Sequence, residues 1–281
     1  PGPRRQPLGP PKDLLKWILI LLKPLAFTAK ISLMLDPADF PLPRHQTAVL
    51  TLLLQAVARG GYTWHATQTA PEDRILAAIA KLHERHRVLI DRAARHARRE
   101  AGLPTAYLVL GPEPRGGRWP LALLANQKLP GEAMHRVTGP HPLTWPAWRK
   151  EDWRPTYVLR RDPDRQRWTW YLEEAFFQEL LEEALHWTQK GDWPRLAGHL
   201  RMLGTLPAFH GIWHQTREIL KRVQRLWGDR HLRNPEGQWN TPPWRKATEE
   251  WPKRPLPIAV RVWREEPPRT VGEWLEMRRQ G

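Results

Sequence analysis

Two pairs of residues, each containing histidine, have a spacing typical of metal ligands in catalytic sites. His210 and His214 are four positions apart near the start of a predicted helix, and Glu183 precedes His186 by three positions on another. Side chains at these spacings share a helix face, where imidazoles and carboxylates can hold a metal ion. However, the H-E-x-x-H glutamate is missing, and a di-iron site needs a second E-x-x-H step. We therefore predict no metal site and interpret these as ordinary helix histidines.

Nucleophiles for covalent catalysis are scarce. The chain has no Cys, which excludes disulfides, thiolate metal sites and cysteine nucleophiles. Its single Ser, Ser32, lies in a strand-like stretch without the G-x-S-x-G motif of serine hydrolases. Rolling-circle and mobilisation nucleases need a His-hydrophobe-His strand and a helical Tyr, but every Tyr falls in a predicted strand. With no P-loop or dinucleotide motif either, we predict no catalytic residue and no cofactor.

The composition indicates a binding partner instead. The chain carries 45 Lys and Arg against 29 Asp and Glu, a formal net charge of +16, together with 17 Trp. Arg outnumbers Lys, and its planar guanidinium bridges phosphate oxygens and stacks on bases. A G+C-rich genome is an alternative source of this composition. We predict a nucleic-acid partner, with DNA favoured over RNA.

The strongest binding signal is a basic face on a helix predicted over residues 71–101. The residues that share this face are Lys81, Arg85, Arg92, Arg95 and Arg99. Their spacings place them on one side of a helix, where they can follow a phosphate backbone. A second basic helix carries Arg217, Lys221 and Arg225. The alternative for the first face is a solvated surface neutralised by acidic groups from elsewhere in the fold.

Between these helices lies a connector rich in tryptophan and basic residues. Its candidate nucleic-acid contacts are Trp145, Trp148, Arg149, Lys150, Trp153 and Arg154. Aromatic rings in a cationic setting hold single-stranded nucleic acid by stacking and phosphate contacts. Trp168 and Trp170 share one face of the next predicted hairpin, where tryptophans belong more often to a hydrophobic core. The connector tryptophans are therefore the better stacking candidates.

The elements that must position these residues alternate between strands and helices. Apolar patterns predict strands at 29–35, 62–69, 105–111 and 119–124 and helices at 44–59 and 71–101. Pro120 predicts an edge position for the last of these strands. The order favours an α+β fold, an antiparallel or mixed sheet covered on one side by two helices, over a helical bundle. A hairpin, a helical C-terminal portion and an extended Pro-rich tail follow.

Composition shifts predict five segments. Residues 1–27 form a leader, either non-native or a partner-facing helix, and residues 28–137 form the α+β domain. The connector and hairpin occupy 138–172, a helical subdomain 173–233, and the largely extended tail 234–281. In the tail, Thr270 and Glu273 have the spacing that caps a short helix. The apolar run at 14–22 is shorter than a membrane span requires, so we predict no such span and assign the leader a protein partner.

One short segment resembles a known class of proteins. Leu206, Pro207, Phe209, Gly211, Ile212 and Gln215 match an L-P-x-F-x-G-hydrophobe-x-x-Q pattern. This pattern is similar to one in poorly characterised accessory proteins of plasmids and integrative elements. The resemblance implies a mobile-element protein that handles DNA, and it implies no catalytic residue. Pro and Gly at these positions are also typical of a helix-helix turn.

These observations predict a nucleic-acid-binding accessory protein of a mobile element, without intrinsic catalysis. Two alternatives stay open: a divergent nuclease or replication and mobilisation enzyme, and a protein-assembly subunit that uses its tryptophans and leader as contact surfaces. The absence of Cys is compatible with a cytoplasmic location. Scarce Cys, Ser and Asn beside abundant Pro and Arg favour a thermophilic source.

Overall fold

The computed structural model describes residues 36–146, 156–231, 244–255 and 262–280. The elements follow one another as α1 (Gln46–Ala58), β1 (Trp64–Pro71), α2 (Ile75–His86), α3 (Arg92–Glu100), β2 (Ala106–Leu110), β3 (Arg118–Ala125), β4 (His135–Arg136), β5 (Thr144–Trp145), β6 (Tyr157–Arg161), β7 (Trp168–Leu172), α4 (Glu174–Lys190), α5 (Trp193–Gly204), α6 (His210–His231), α7 (Trp244–Ala247) and α8 (Val271–Gln280). The predicted α+β class is confirmed. The leader and the strand predicted at 29–35 lie outside the described residues.

Helix α1 is buried between two sheets because its sequence is apolar on every side. Its buried residues are Ala48, Val49, Leu50, Thr51, Leu52, Leu53, Leu54, Ala56 and Val57. A helix that is hydrophobic all round must be surrounded by other elements, and α1 contacts both β2 and β7. At its start, His45 caps the helix, because His45 Nδ1 accepts the Ala48 N–H at 3.2 Å. The larger hydrophobic core forms around α1 and includes residues of both sheets.

The first sheet has four antiparallel strands in the order β2-β3-β1-β4. Every residue of β3 after Arg118 is buried, a pattern typical of a strand covered on both faces. Ala122 and Leu124 belong to the larger core. Leu121 and Leu123 belong to a second core, which includes α2. The prediction that the covering elements lie on only one face of this sheet is therefore wrong.

Strand β3 lies inside this sheet, between β2 and β1. The edge position predicted from Pro120 is therefore wrong. Proline is tolerated there because β2 ends at Leu110, just before the position opposite Pro120. Beyond that end, Pro120 O accepts the Gly111 N–H at 2.8 Å, and the missing proline N–H removes only the reciprocal bond to Gly111 O, which lies outside β2.

The helix predicted over 71–101 is in fact two helices. Helix α2 ends at Arg87, which has a left-handed φ of 56°. The residues buried in the turn that follows are Val88, Leu89 and Ile90. Three consecutive apolar residues cannot share one helix face, so burying them takes the chain out of the helix. Helix α3 then begins at its cap, where Asp91 Oδ1 accepts the Ala94 N–H at 2.7 Å.

The second sheet, in the order β5-β6-β7, packs against the C-terminal helices. The predicted β6-β7 hairpin is confirmed, with Val158 paired to Tyr171. Trp170 is fully buried and donates its indole N–H to Leu50 O of α1 at 2.8 Å. Trp168 is half-buried. The core interpretation is thus confirmed for Trp170, which ties this sheet to α1.

The segment at 206–215 has a structural role at the start of α6. A Cβ on Gly211 would lie 2.5 Å from Trp170 O, so only glycine permits this approach of α6 to β7. The Gln215 amide accepts the Leu172 N–H at 2.7 Å and donates to Leu172 O at 3.2 Å. Phe209 is buried in the larger core. Helix packing therefore accounts for these three residues of the motif.

The last described part of the chain returns to the beginning of the fold. Isolated bridges join Pro41 to Thr270 and Pro43 to Trp263. The predicted cap on α8 is confirmed, because Thr270 Oγ1 accepts the Glu273 N–H at 3.3 Å. The extended character of the tail stays a prediction. Within the described ranges, no helix is long and apolar enough to span a membrane.

The larger core joins four of the five predicted segments. Val109 comes from 28–137, Trp170 from 138–172, Ile219 from 173–233 and Trp251 from 234–281. These segments therefore share one apolar interior, in which side chains distant in sequence are removed from water together. The segment boundaries themselves stay a prediction.

Replacing Gly211 with Ala tests the packing of α6 on β7. The added methyl would lie 2.5 Å from Trp170 O, so we expect the free energy of unfolding to fall by about 1–3 kcal/mol in urea denaturation. Gly198→Ala is the control, because nothing lies within 4 Å of a Cβ at this position of α5. Helix propensity predicts a gain of about 0.5–1 kcal/mol there. Equal changes in the two variants would contradict the contact.

Candidate functional site

An open groove of about 460 Å³ lies beside α3, at the end of α1. Its charged and aromatic lining residues are Arg59, Arg92, Arg95, Arg99, Tyr62, Tyr107 and Trp263. The other lining residues are Leu52, Gln55, Ala56, Gly60 and Val262. Among the described residues, no carboxylate lines the groove. We call this set of residues the arginine groove.

Helix α3 supplies three of the arginines. Arg92, Arg95 and Arg99 are three and seven positions apart, which places them on one helix face. Arg92 is exposed, whereas Arg95 and Arg99 are half-buried. The groove therefore combines an exposed cation at its rim, Arg92, with two half-buried cations, Arg95 and Arg99.

Two tyrosines hold the inner arginines in place. The rings of Tyr62 and Tyr107 stack with their centroids 5.9 Å apart. The Arg95 guanidinium lies 5.1 Å from the Tyr107 centroid, and the Arg99 guanidinium lies 5.6 Å from the Tyr62 centroid. Arg95 also donates to Ile90 O, and Arg99 donates to Gly60 O. A guanidinium has five N–H donors, so these contacts leave donors for a ligand.

Tyr107 remains a neutral phenol in the arginine groove. Burial is the main cause that raises the pKa of Tyr107, and neighbouring Tyr62 raises it further, while the charge of Arg95 acts in the opposite direction. A neutral ring adds no negative charge to the groove but keeps the electron-rich face that attracts a cation. The positive charge of Arg95 is therefore not cancelled by the Tyr107 phenol beneath it.

The other two residues of the predicted basic face lie apart from the groove. Lys81 is exposed on α2, and Arg85 lies 3.7 Å from the Glu132 carboxylate. The break at Arg87 ends α2 before α3 begins. The predicted continuous face is therefore wrong, and the structure brings together only its α3 members.

The residues of the second predicted basic helix do not line the arginine groove. Arg217 donates to Pro252 O at 3.1 Å, and its guanidinium lies 5.4 Å from the ring centroids of both Trp213 and Trp251. These contacts give Arg217 a packing role between α6 and the segment after α7. Lys221 and Arg225 are exposed on the same helix.

The connector contributes less than the sequence predicts. Trp145 is fully buried, with no exposed surface, and belongs to the larger core. It cannot stack on a base, so its prediction as a contact is wrong. Pairing of β5 with β6 places it there, because Trp145 lies opposite Tyr157. The remaining connector candidates, Trp148, Arg149, Lys150, Trp153 and Arg154, lie outside the described residues.

Four of the seven charged and aromatic groove residues were missed by the sequence reasoning. Arg59 and Tyr62 flank the glycines that end α1, Tyr107 lies on β2, and Trp263 comes from the last part of the chain. The tyrosines were considered only as nucleophiles. An aromatic residue directly after a helix-ending Gly-Gly was the one local signal for Tyr62.

The structure separates Glu183 from His186 but brings His210 and His214 together. Glu183 approaches His199 Nδ1 at 3.3 Å rather than forming a site with His186, which packs against Trp187. His210 and His214 do meet, with their Nε2 atoms 3.1 Å apart. Among the described residues, no group of three or more His, Cys, Asp or Glu could hold a metal ion.

A carboxylate in the β6-β7 turn lies beside the His210–His214 pair. Asp162 Oδ2 lies 2.8 Å from His210 Nδ1. Asp162 also stabilises the turn, because its Oδ1 accepts the Arg165 and Asp164 N–H groups at 2.9 and 3.1 Å. The hydrogen bond from Arg165 is the main cause that lowers the pKa of Asp162. Asp162 is therefore a fixed anion beside His210.

His83 makes the turn that positions α3 sensitive to pH. Its Nδ1 accepts the Leu89 N–H at 3.1 Å, which requires that nitrogen to be unprotonated. Burial, followed by the charge of Arg87, lowers the pKa of His83 from its ordinary value of 6.5. His83 is therefore protonated at a higher pH in the unfolded chain than in the folded protein. The stabilisation by the hydrogen bond from Leu89 is present above about pH 6.5 and is lost as the pH falls through the pKa of His83 in the folded protein.

We expect His83→Asn to reduce the loss of stability on acidification. Asn Oδ1 can replace Nδ1 as the acceptor, and it does not titrate. The measurement is the free energy of unfolding of both proteins between about pH 7.5 and about pH 5. The lowered pKa values of His65 and His199 affect both proteins alike, so the difference reports on His83. Parallel pH profiles would overturn the assignment.

The arginine groove is the feature on which a functional argument can be based. It joins residues of α1, α3, β2 and the last part of the chain. No protein-family model matches the chain, and neither a curated protein nor a solved structure is significantly similar to it.

Proposed function

We propose that the protein binds single-stranded nucleic acid in the arginine groove, as an accessory factor without intrinsic catalysis. The observation that supports this most is the set of three α3 arginines, two of which, Arg95 and Arg99, lie over a pair of stacked tyrosines, in a groove without a described carboxylate. DNA is the favoured partner, in keeping with the resemblance of residues 206–215 to accessory proteins of mobile elements. The lack of Cys fits a cytoplasmic location.

Electrostatics favours a phosphate backbone as the ligand. The formal net charge of +16 attracts polyanions, and guanidinium groups contact phosphate oxygens in pairs of hydrogen bonds. Arg99 Nε is buried and has no hydrogen-bond partner among the described residues. A buried charged donor without an acceptor costs free energy, which a bound anion that reached it would offset.

The aromatic residues divide into two roles. Tyr62 is only 4% exposed, and Arg99 covers its ring, so the tyrosines serve to orient guanidiniums. Trp263 is 39% exposed at the groove and is free to stack on an unpaired base. An exposed ring beside fixed cations is the arrangement that holds single strands. Duplex bases are already stacked on each other, so the single strand is the better fit.

Removing two rim arginines tests the phosphate contacts. We expect Arg59→Ala/Arg92→Ala to weaken binding to a fluorescent single strand about tenfold or more, because both residues are exposed groove cations. The slope of log affinity against log salt should become shallower by about 1.4, since each phosphate contact contributes about 0.7. Binding is measured with matched single- and double-stranded DNA and RNA across salt concentration.

The matched control removes the same charge elsewhere. Lys190 and Arg201 are exposed on α4 and α5, outside the groove lining, so we expect Lys190→Ala/Arg201→Ala to change affinity by less than about threefold. Equal losses in the two double variants would show that net charge, and not the groove, is responsible. No binding by the folded parent would reject the proposal and favour an assembly subunit.

Trp263 tests the preference for unpaired bases. We expect Trp263→Ala to cost about 1–3 kcal/mol in binding a single strand, the range for one stacked base, and to leave duplex affinity unchanged. Trp263→Phe keeps a ring and should retain most of the affinity. The backbone bridge from Trp263 to Pro43 needs no side chain, so folding should be unaffected. The same affinity for the Ala and Phe variants would contradict a stacking role.

A further inference from the structure

The contact between His210 and His214 is unusual because two like ring atoms face each other. Their Nε2 atoms are 3.1 Å apart, and their ring centroids are 4.4 Å apart. The Asp162 carboxylate lies against the opposite nitrogen of His210, at 2.8 Å from Nδ1. A proton at His210 Nδ1 leaves a lone pair on its Nε2. Either a proton on His214 Nε2 or a cation must then lie between the two atoms.

We propose that His210 and His214 bind a divalent transition-metal ion of the zinc class through their Nε2 atoms. Zinc-nitrogen bonds are about 2.0–2.1 Å long, so nitrogens 3.1 Å apart meet at a metal with an angle of about 100°, near the tetrahedral value. The two rings therefore need little rearrangement to bind one ion. Imidazole nitrogen suits zinc, cobalt, nickel or copper, whereas magnesium and calcium prefer oxygen.

The Asp162 carboxylate is placed to orient His210 for metal binding. A histidine that binds a metal commonly presents its other ring nitrogen to a carboxylate, which fixes the ring and raises its basicity. Asp162 Oδ2 lies at ion-pair distance from His210 Nδ1, and two backbone N–H groups, from Arg165 and Asp164, hold its other oxygen. The Asp162 side chain is 7% exposed. Asp162 is thus a positioning residue rather than a ligand.

Packing explains the neighbours of these histidines but not the histidines. Gly211 permits the close approach of α6 to Trp170 O, and Gln215 bonds both backbone groups of Leu172. His214 is exposed, so its contact with His210 is not imposed by burial. The rigid helix start therefore presents the pair from a fixed base, as a preorganised site requires.

The site is open, with positions left for other ligands. Among the described residues no third His, Cys, Asp or Glu completes it. A four-coordinate ion would keep two positions for water or an added ligand. Arg165 and Lys221 place positive charge near His214, which favours an anion in those positions. No residue of this site lines the arginine groove. Metal binding and nucleic-acid binding can therefore be tested independently of each other.

The test is metal titration of the full chain after treatment with a chelator and dialysis. Co²⁺ binding is followed by visible absorption and Zn²⁺ binding by calorimetry, with parent protein, His214→Gln and Asp162→Asn. We expect one equivalent to bind the parent, His214→Gln to weaken binding at least about tenfold, and Asp162→Asn to weaken it about 10- to 100-fold. Because His214 is exposed, its variant should fold, which circular dichroism checks.

His135→Gln is the matched control. His135 also packs against a second histidine, His141, with ring centroids 4.7 Å apart, and it is exposed on β4. We expect this variant to bind the metals within about twofold of the parent. The proposal is overturned if the parent binds neither ion, if His214→Gln binds as tightly as the parent, or if His135→Gln loses as much affinity as His214→Gln. Weaker binding in His214→Gln alone supports it.

Discussion

Helix α1 must be surrounded on all sides, and the arrangement of both sheets follows from that constraint. Nine of its thirteen residues are buried, and each large apolar side chain contributes about 1.5–3 kcal/mol when it leaves water. The four-stranded sheet and the β5-β7 sheet each contribute residues to the core around it. Trp170 adds a directional contact, since its indole N–H finds an acceptor in Leu50 O only when β7 lies against the helix.

The end of α1 also builds the arginine groove. Gly60 lies so close to Ala56 O that a Cβ there would be 2.5 Å away, and Gly61 takes a left-handed φ of 69° that favours glycine. The chain therefore turns sharply, presents Gly60 O to Arg99 and places Tyr62 beneath the same guanidinium. The position of the inner cations depends on how this helix stops.

Much of the arginine and tryptophan content is used inside the fold. Guanidiniums lie over aromatic rings in the pairs Arg95-Tyr107, Arg99-Tyr62, Arg136-Trp64, Arg161-Trp168, Arg195-Trp187, Arg217-Trp213, Arg217-Trp251 and Arg264-Trp274. Each such contact contributes about 0.5–1 kcal/mol or more as it is desolvated. Composition alone therefore overstates the surface free for a ligand. The groove differs because its arginines also face an open space that Trp263 borders.

By itself, the sequence determined the elements with a local pattern: α1 ending at the glycines, the β6-β7 hairpin and the cap of α8 at Thr270. Only the tertiary structure decided that Trp145 is buried while Trp263 is exposed, and that Asp162 meets His210. Capping, turns and periodicity depend on neighbours a few residues away, so they can be read from the chain. The groove and the histidine site join residues from separate elements, whose proximity depends on how the apolar faces pack around α1.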